Sequence, residues 1–184
     1  RAADALARYD QMLKGLHNSE LLLAPLRNQE AVFSSRMEGT ISTMDEILQY
    51  DAESAGEERG PEMRSEVLET ILYRRALITA QEDLKEGRPF GMQLIQRMHQ
   101  QLLSMGRGAD KAPGQFKAEQ NYLADQPKQK ILFVPISPEH LRSGLERLLE
   151  YMNADTHPPL LRAGVMHLEF EALHPFKDGN GRIG

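Results

Sequence analysis

His174-Pro175-Phe176-Lys177-Asp178-Gly179-Asn180-Gly181-Arg182-Ile183-Gly184 closes the chain, and its reading decides the fold. A residue before proline is pushed out of the α region, so the helix leading in must end at His174 and present that imidazole at its C-terminus. Gly179, Asn180 and Gly181 tolerate left-handed backbone, which turns successive N–H groups inward to form an anion nest. A helix starting near Asn180 would aim its first N–H groups at the same spot. Arg182 adds a bidentate cation for phosphate oxygens. Asp178 is a hard oxygen ligand of the kind Mg²⁺ uses beside substrate phosphates.

Competing motifs fail on context. Gly179 to Gly184 matches G-x-G-x-x-G, but that dinucleotide pattern must follow a β-strand, and here it follows a helical run and His-Pro. A Walker A loop needs Gly-Lys-Ser/Thr after its glycines, and the zinc-protease H-E-x-x-H is absent.

Working outward, residues 158–173 read as a helix that is apolar almost all round, with Leu160, Leu161, Val165, Met166, Leu168, Phe170 and Leu173; such a helix is expected at the centre of a bundle. Ser137 and Pro138 cap a helix to about Met152. Between 106 and 137 helical periodicity disappears, and Gln115–Lys117 with Ile131–Val134 read as the strands of a small hairpin or flap. Further upstream, helices are expected over 91–105 and 63–85, the latter buried through Val67, Leu68, Ile71, Leu72, Ala76 and Leu77. The acidic stretch 51–62 reads as a solvated connector. Ser42 and Thr43 cap a short helix carrying Met44, Ile47 and Leu48. Pro25 suits the first turn of a helix reaching Met37, and residues 4–23 form an amphipathic first helix.

At 184 residues, with 40% apolar and 27% charged residues, the chain can bury one core. A net charge of −5 argues against nucleic-acid binding through this region. No apolar run is long enough to cross a bilayer. Cysteine is absent, which excludes disulfides and thiolate chemistry and fits a cytoplasmic location. The chain starts without Met and stops inside a glycine-rich segment, as expected for a piece of a longer protein.

The closing segment resembles the signature of the Fic family, H-P-F-x-[DE]-G-N-G-R-x-x-R, at every position the chain contains. The pattern's second arginine falls at the position after Gly184. His167-Leu168-Glu169-Phe170-Glu171 resembles the family's central helix. Pro113-Gly114-Gln115-Phe116, Gln120-Asn121-Tyr122 and Phe133-Val134-Pro135 resemble its β-hairpin flap. The resemblance implies an all-α, Fic-like bundle with a small hairpin: a core over 63–184 and an N-terminal helical segment over 1–62.

It also implies transfer of AMP from ATP to a Ser, Thr or Tyr hydroxyl of a protein target, with pyrophosphate leaving. His174 would be the base, and an imidazole with a pKa near 6.5 suits that role at neutral pH. Asp178 would hold Mg²⁺, Gly179, Asn180 and Gly181 would cradle phosphates, and Arg182 would neutralise developing charge. Phe133, Val134 and Pro135 would dock the target by strand addition. The implied partners are ATP and that target, with a homodimer compatible and no membrane contact. Removal of AMP, transfer of another phosphate-containing group, and a non-catalytic nucleotide-sensing module remain as alternatives; a retained His174 disfavours the last.

Ser34-Ser35-Arg36-Met37-Glu38-Gly39 resembles the family's inhibitory motif, [ST]-x-x-x-E-[GN]. Ser34 and Glu38 stand one helical turn apart, while Ser35 and Glu38 equally fit a capping box. The resemblance implies that Glu38 pairs with the second motif arginine and takes the volume of the γ-phosphate. Phe176 is expected to pack into the core. His17, His99, His140 and His157 are expected on helix surfaces or in loops, satisfied at the surface or in the core, and His167 on the His174 face of its helix.

Overall fold

Local chemistry sets most element boundaries. In the computed structural model, which describes residues 1–54, 63–125, 127, 129–154 and 157–184, the elements run α1 (Ala2–Lys14), α2 (Glu20–Met37), α3 (Met44–Ser54), α4 (Ser65–Lys85), α5 (Met92–Leu102), β1 (Leu123–Asp125), β2 (Lys130–Phe133), α6 (Pro138–Asn153), α7 (Pro159–Leu173) and α8 (Asn180–Ile183). The all-α architecture with one small antiparallel hairpin is as the sequence implies.

A reciprocal capping box opens α3: the Glu46 carboxylate accepts from the Thr43 N–H at 2.8 Å, and Thr43 Oγ1 accepts from the Glu46 N–H at 3.2 Å. Ser137 and Pro138 stand at the start of α6 as expected, but Ser137 caps no backbone N–H: its Oγ pairs with His140 Nδ1 at 3.0 Å. Gly39 ends α2 in a left-handed conformation, φ +80°.

Two apolar clusters hold the bundle. One joins α2, α3 and α4 through Val32, Ile47, Val67 and Ile71. The other lies under the closing segment and comprises Ile95, Leu141, Leu145, Leu148, Phe170, Leu173 and Phe176.

Several expectations need correction. The first helix stops at Lys14, and α2 starts at Glu20, whose N–H donates to Asn18 Oδ1 at 3.1 Å. Pro25 therefore lies inside α2 rather than in its first turn. The first strand is Leu123–Asp125, not Gln115–Lys117; the Lys117 N–H is spent instead on Pro175 O at 2.8 Å. The hairpin pairs Leu123 with Phe133, Ala124 with Ile131 and Asp125 with Lys130, with an irregularity between Leu123 and Ala124. Phe133 ends β2, and Val134 and Pro135 lie just past it. Within this chain α7 is not covered all round as expected: Phe170 and Leu173 are buried, while Leu160, Leu161, Val165 and Leu168 are exposed. The acidic connector splits, because α3 runs on to Ser54, and residues 55–62 lie outside the described part.

Candidate active site

The backbone at His174 adopts φ 45°, ψ 62°, a left-handed conformation unusual for a residue with a Cβ. Proline at the next position bars the right-handed helix, and the turn is over-determined by hydrogen bonds. The Asn121 side-chain amide donates to His174 O at 3.0 Å and to Phe176 O at 3.1 Å. Lys117 reinforces the corner, its Nζ donating to Leu173 O at 3.1 Å and to Asn121 Oδ1 at 2.7 Å. The strained corner thus rests on residues before the hairpin.

The next turn closes on itself. Asn180 Oδ1 accepts the Phe176 N–H at 2.8 Å, and Asn180 Nδ2 donates to Phe176 O at 2.8 Å. The Asn180 side chain is therefore spent on the backbone, and what it offers an anion is its own N–H. Gly179 is left-handed at φ 76° and caps α8. Arg182 and Ile183 donate their N–H groups to Gly179 O, at 3.3 and 3.2 Å. Those of Asn180 and Gly181 precede that ladder, as the first N–H groups of any helix do.

Beneath the turn, Phe176 is fully buried and stacks on His99, with ring centroids 3.7 Å apart and planes 4° apart. His99 is buried too, so of the surface and core settings expected for it the core is the one found. Its Nδ1 accepts the Gly114 N–H at 2.8 Å, so Nε2 carries the proton and donates to Asp178 O at 2.9 Å. Burial pushes its pKa down, which fits a neutral ring.

His174 itself is half-buried, and its Nδ1 has no hydrogen-bond partner among the described residues, Glu171 Oε2 standing 3.9 Å away. Burial is the main cause that lowers its pKa; nearby Lys117 lowers it further, and Glu171 opposes. The lowered pKa favours the neutral form of the imidazole at neutral pH. Arg182 is the cation of the loop, its side chain 7% exposed, with Nη1 lacking a hydrogen bond and Nη2 4.0 Å from Asp178 Oδ1. Asp178 Oδ1 accepts the Gly179 N–H at 2.6 Å, and the side chain is 45% exposed. No cluster of three or more acidic, histidine or cysteine ligands occurs among the described residues. An accessible carboxylate such as Asp178 beside an anion loop fits Mg²⁺, which takes one or two carboxylates plus substrate phosphates.

Glu38, at the end of α2, lies over this loop. A Cβ placed on Gly181 would meet Glu38 Cδ at 2.7 Å, so the carboxylate occupies space that only a glycine leaves open. Ser34 is buried one turn earlier, within hydrogen-bonding reach of Tyr73 on α4. A cavity of about 330 Å³ is lined by Ser34, Met37 and Tyr73 on one side and by Gly181 and Arg182 on the other.

Residues 89–184 match the sequence model of the Fic/DOC family, and residues 1–82 match that of the Fic/DOC family N-terminal region. The chain belongs to the Fic/DOC family. Over 101 residues it is 30% identical to protein adenylyltransferase fic-1 of Caenorhabditis elegans and 28% identical to that of Caenorhabditis briggsae. Each match covers 53% of this chain and 18% of the relative, so the chain spans under a fifth of those proteins. A Fic domain-containing signaling protein from Bacteroides thetaiotaomicron superposes with a TM-score of 0.77 at 21% identity, covering 100% of this chain and 69% of that one. Fic-1 of C. elegans superposes at 0.71 and 21% identity, covering 98% of this chain and 53% of that one. Both likenesses establish a shared fold.

In this Fic chain the structure brings together Asp178, Gly179, Asn180, Gly181, Arg182 and Glu38, with His174 at the corner that opens the segment. Phe133 and Val134 are exposed on the hairpin, past the Asn121 tether. A separate cavity of about 340 Å³, lined among others by Phe116, Lys117, Gln120, Asn121 and Lys177, lies between the approach to the hairpin and the closing segment. Sequence reasoning missed His99, Lys117 and Asn121 as supports. His99 had a signal: it falls in the stripe Ile95, His99, Leu102, where a polar residue needs buried partners.

Proposed function

We propose that this chain is the catalytic part of a protein adenylyltransferase that moves AMP from ATP to a hydroxyl of a protein target, restrained by its own Glu38. The observation that carries the reading is an unpartnered imidazole nitrogen and a glycine-opened loop built on one closed segment, with a carboxylate lying over that loop. The fic-1 relatives, named protein adenylyltransferases, support the choice of group transferred.

The target hydroxyl gives its proton to the unprotonated nitrogen of His174 as its oxygen attacks the α-phosphorus of ATP. The bond from that phosphorus to the oxygen bridging the β-phosphate breaks, and pyrophosphate leaves with the electron pair. The N–H groups of Asn180 and Gly181 and the Arg182 guanidinium hold the phosphates and stabilise the charge that develops. Asp178 would hold Mg²⁺, which supplies further charge neutralisation when bound. A target strand adds to the exposed hairpin edge near Phe133 and Val134, placing its hydroxyl towards His174. Glu38, pressed on Gly181, occupies space that a productively placed γ-phosphate would need, and repels it.

The test uses full-length protein with ATP labelled at the α- or the γ-phosphate. Label on protein is expected from the α position only, absent in His174→Ala and increased in Glu38→Gly. Label from the γ position would sink AMP transfer, and unchanged labelling in Glu38→Gly would sink the restraint.

A further inference from the structure

Glu69 on α4 belongs to no motif, yet it lies between the end of α2 and the anion loop. Its side chain is 1% exposed. Oε1 accepts from the Arg107 backbone N–H and from Arg107 Nε, each at 3.1 Å. Oε2 accepts from Arg107 Nη2 at 3.1 Å and from the Thr40 hydroxyl at 3.0 Å. Arg107 Nη2 also donates to Thr40 Oγ1 at 2.7 Å, closing a ring of three groups. Thr40 follows Glu38 by two positions.

On its other side, Glu69 Oε2 stands 3.7 Å from Arg182 Nη1. That is too far for a hydrogen bond but close enough for strong attraction in a buried setting. Burial alone would raise the Glu69 pKa; the Arg107 and Thr40 donors outweigh it, so the carboxyl stays ionised. One carboxylate therefore serves two guanidiniums. Nη1 of Arg182 is held without being satisfied.

We propose that Glu69 is a positioning residue for the anion loop: it holds Arg182 in place while leaving its N–H donors for a phosphate, and it ties that arginine to Thr40 at the exit of α2. This rests on the nucleotide-binding reading above. It adds that a movement of α2 reaches Arg182 through Glu69, and not only through Glu38.

The test measures the ATP dissociation constant by calorimetry in full-length protein, for wild type, Glu69→Gln, Arg182→Met and the double variant. Glu69→Gln is expected to weaken binding about tenfold, the size carried by one charge-assisted contact. In the Arg182→Met background the same change is expected to have no further effect, a coupling that a merely structural role would not produce. Wild-type affinity in folded Glu69→Gln, or an additive loss in the double variant, overturns the proposal. Should Glu69→Gln fail to fold, Glu69→Asp keeps the charge and retracts it: weakened binding supports positioning, and unchanged binding overturns it. Absence of ATP binding by wild type brings down the nucleotide reading and this inference together, whereas ATP binding that ignores Glu69 brings down the inference alone.

Discussion

His174 can act as a base only while its ring is neutral, and its surroundings decide when that holds. Burial lowers its pKa below the ordinary 6.5, Glu171 raises it, and Lys117 lowers it. Transfer is therefore expected to rise with pH up to the folded pKa of His174, below 6.5, and then to level. Lys117→Met removes a nearby positive charge, so the His174 pKa rises and the acid limb moves to higher pH. A limb that stays put in single-turnover measurements would remove Lys117 from this role. The same depressed pKa means that the unfolded chain binds the proton more readily. The His174 contribution to stability is thus present above 6.5 and lost as pH falls through the folded value. His99 acts by geometry. His99→Phe keeps a ring on Phe176 but orphans the Gly114 N–H and Asp178 O. A loss of about 1–3 kcal/mol is expected, read as a lower midpoint in denaturant, and an unshifted midpoint would contradict it.

At the scale of elements, the approach of α6 to α7 aims His174, because Leu173 immediately precedes it. Gly144 makes that approach possible: a Cβ there would meet Leu173 Cδ2 at 2.6 Å and Ile136 Cδ1 at 3.2 Å. Gly144→Ala is expected to destabilise the chain by about 1–3 kcal/mol through overpacking, with transfer falling even in the fraction that stays folded. A wild-type melting temperature would show that Leu173 can move aside freely. The closing segment was legible because its rules are local: proline fixes the end of α7 and Gly179 takes the left-handed turn, whereas Asn180 and Gly181, expected to share that conformation, belong to the right-handed helix α8. The start of α2 was less legible, since Pro25 fits a first turn in isolation, while the Asn18 side chain starts the helix earlier. The hairpin was read in the right region with its first strand displaced. Gln115–Lys117 has the composition of a strand, but its backbone pairs with Pro175, a partner far away in sequence. Glu69 was invisible for the same reason: a charge on a helix reads as solvated until distant Arg107 and Thr40 are brought to it.

Across the whole molecule, whether Glu38 lies on the loop depends on how firmly α2 and α3 dock on α4. Apolar contact among Val32, Ile47, Val67 and Ile71 supplies part of that docking. Arg74 supplies a polar part: from buried α4 it donates to Asn28 Oδ1 on α2 at 3.0 Å and to both Asp51 oxygens on α3, at 2.7 and 2.5 Å. Asp51 is 42% exposed, so solvent screens the pair and its worth is well below that of a buried one. Arg74→Met keeps the buried stem, removes every one of these bonds, and is expected to cost about 1–2 kcal/mol. Arg74 lies away from the closing segment and donates to none of its atoms, so its loss leaves His174 and the loop intact. The consequence for transfer then runs opposite to that for stability. A looser α2 spends less time with Glu38 on Gly181, so labelling from α-phosphate ATP should increase in full-length Arg74→Met while its melting temperature falls. In a Glu38→Gly background the stability loss should persist and the gain in labelling should vanish. Labelling that falls in step with stability would mean that α2 supports the catalytic segment rather than restraining it.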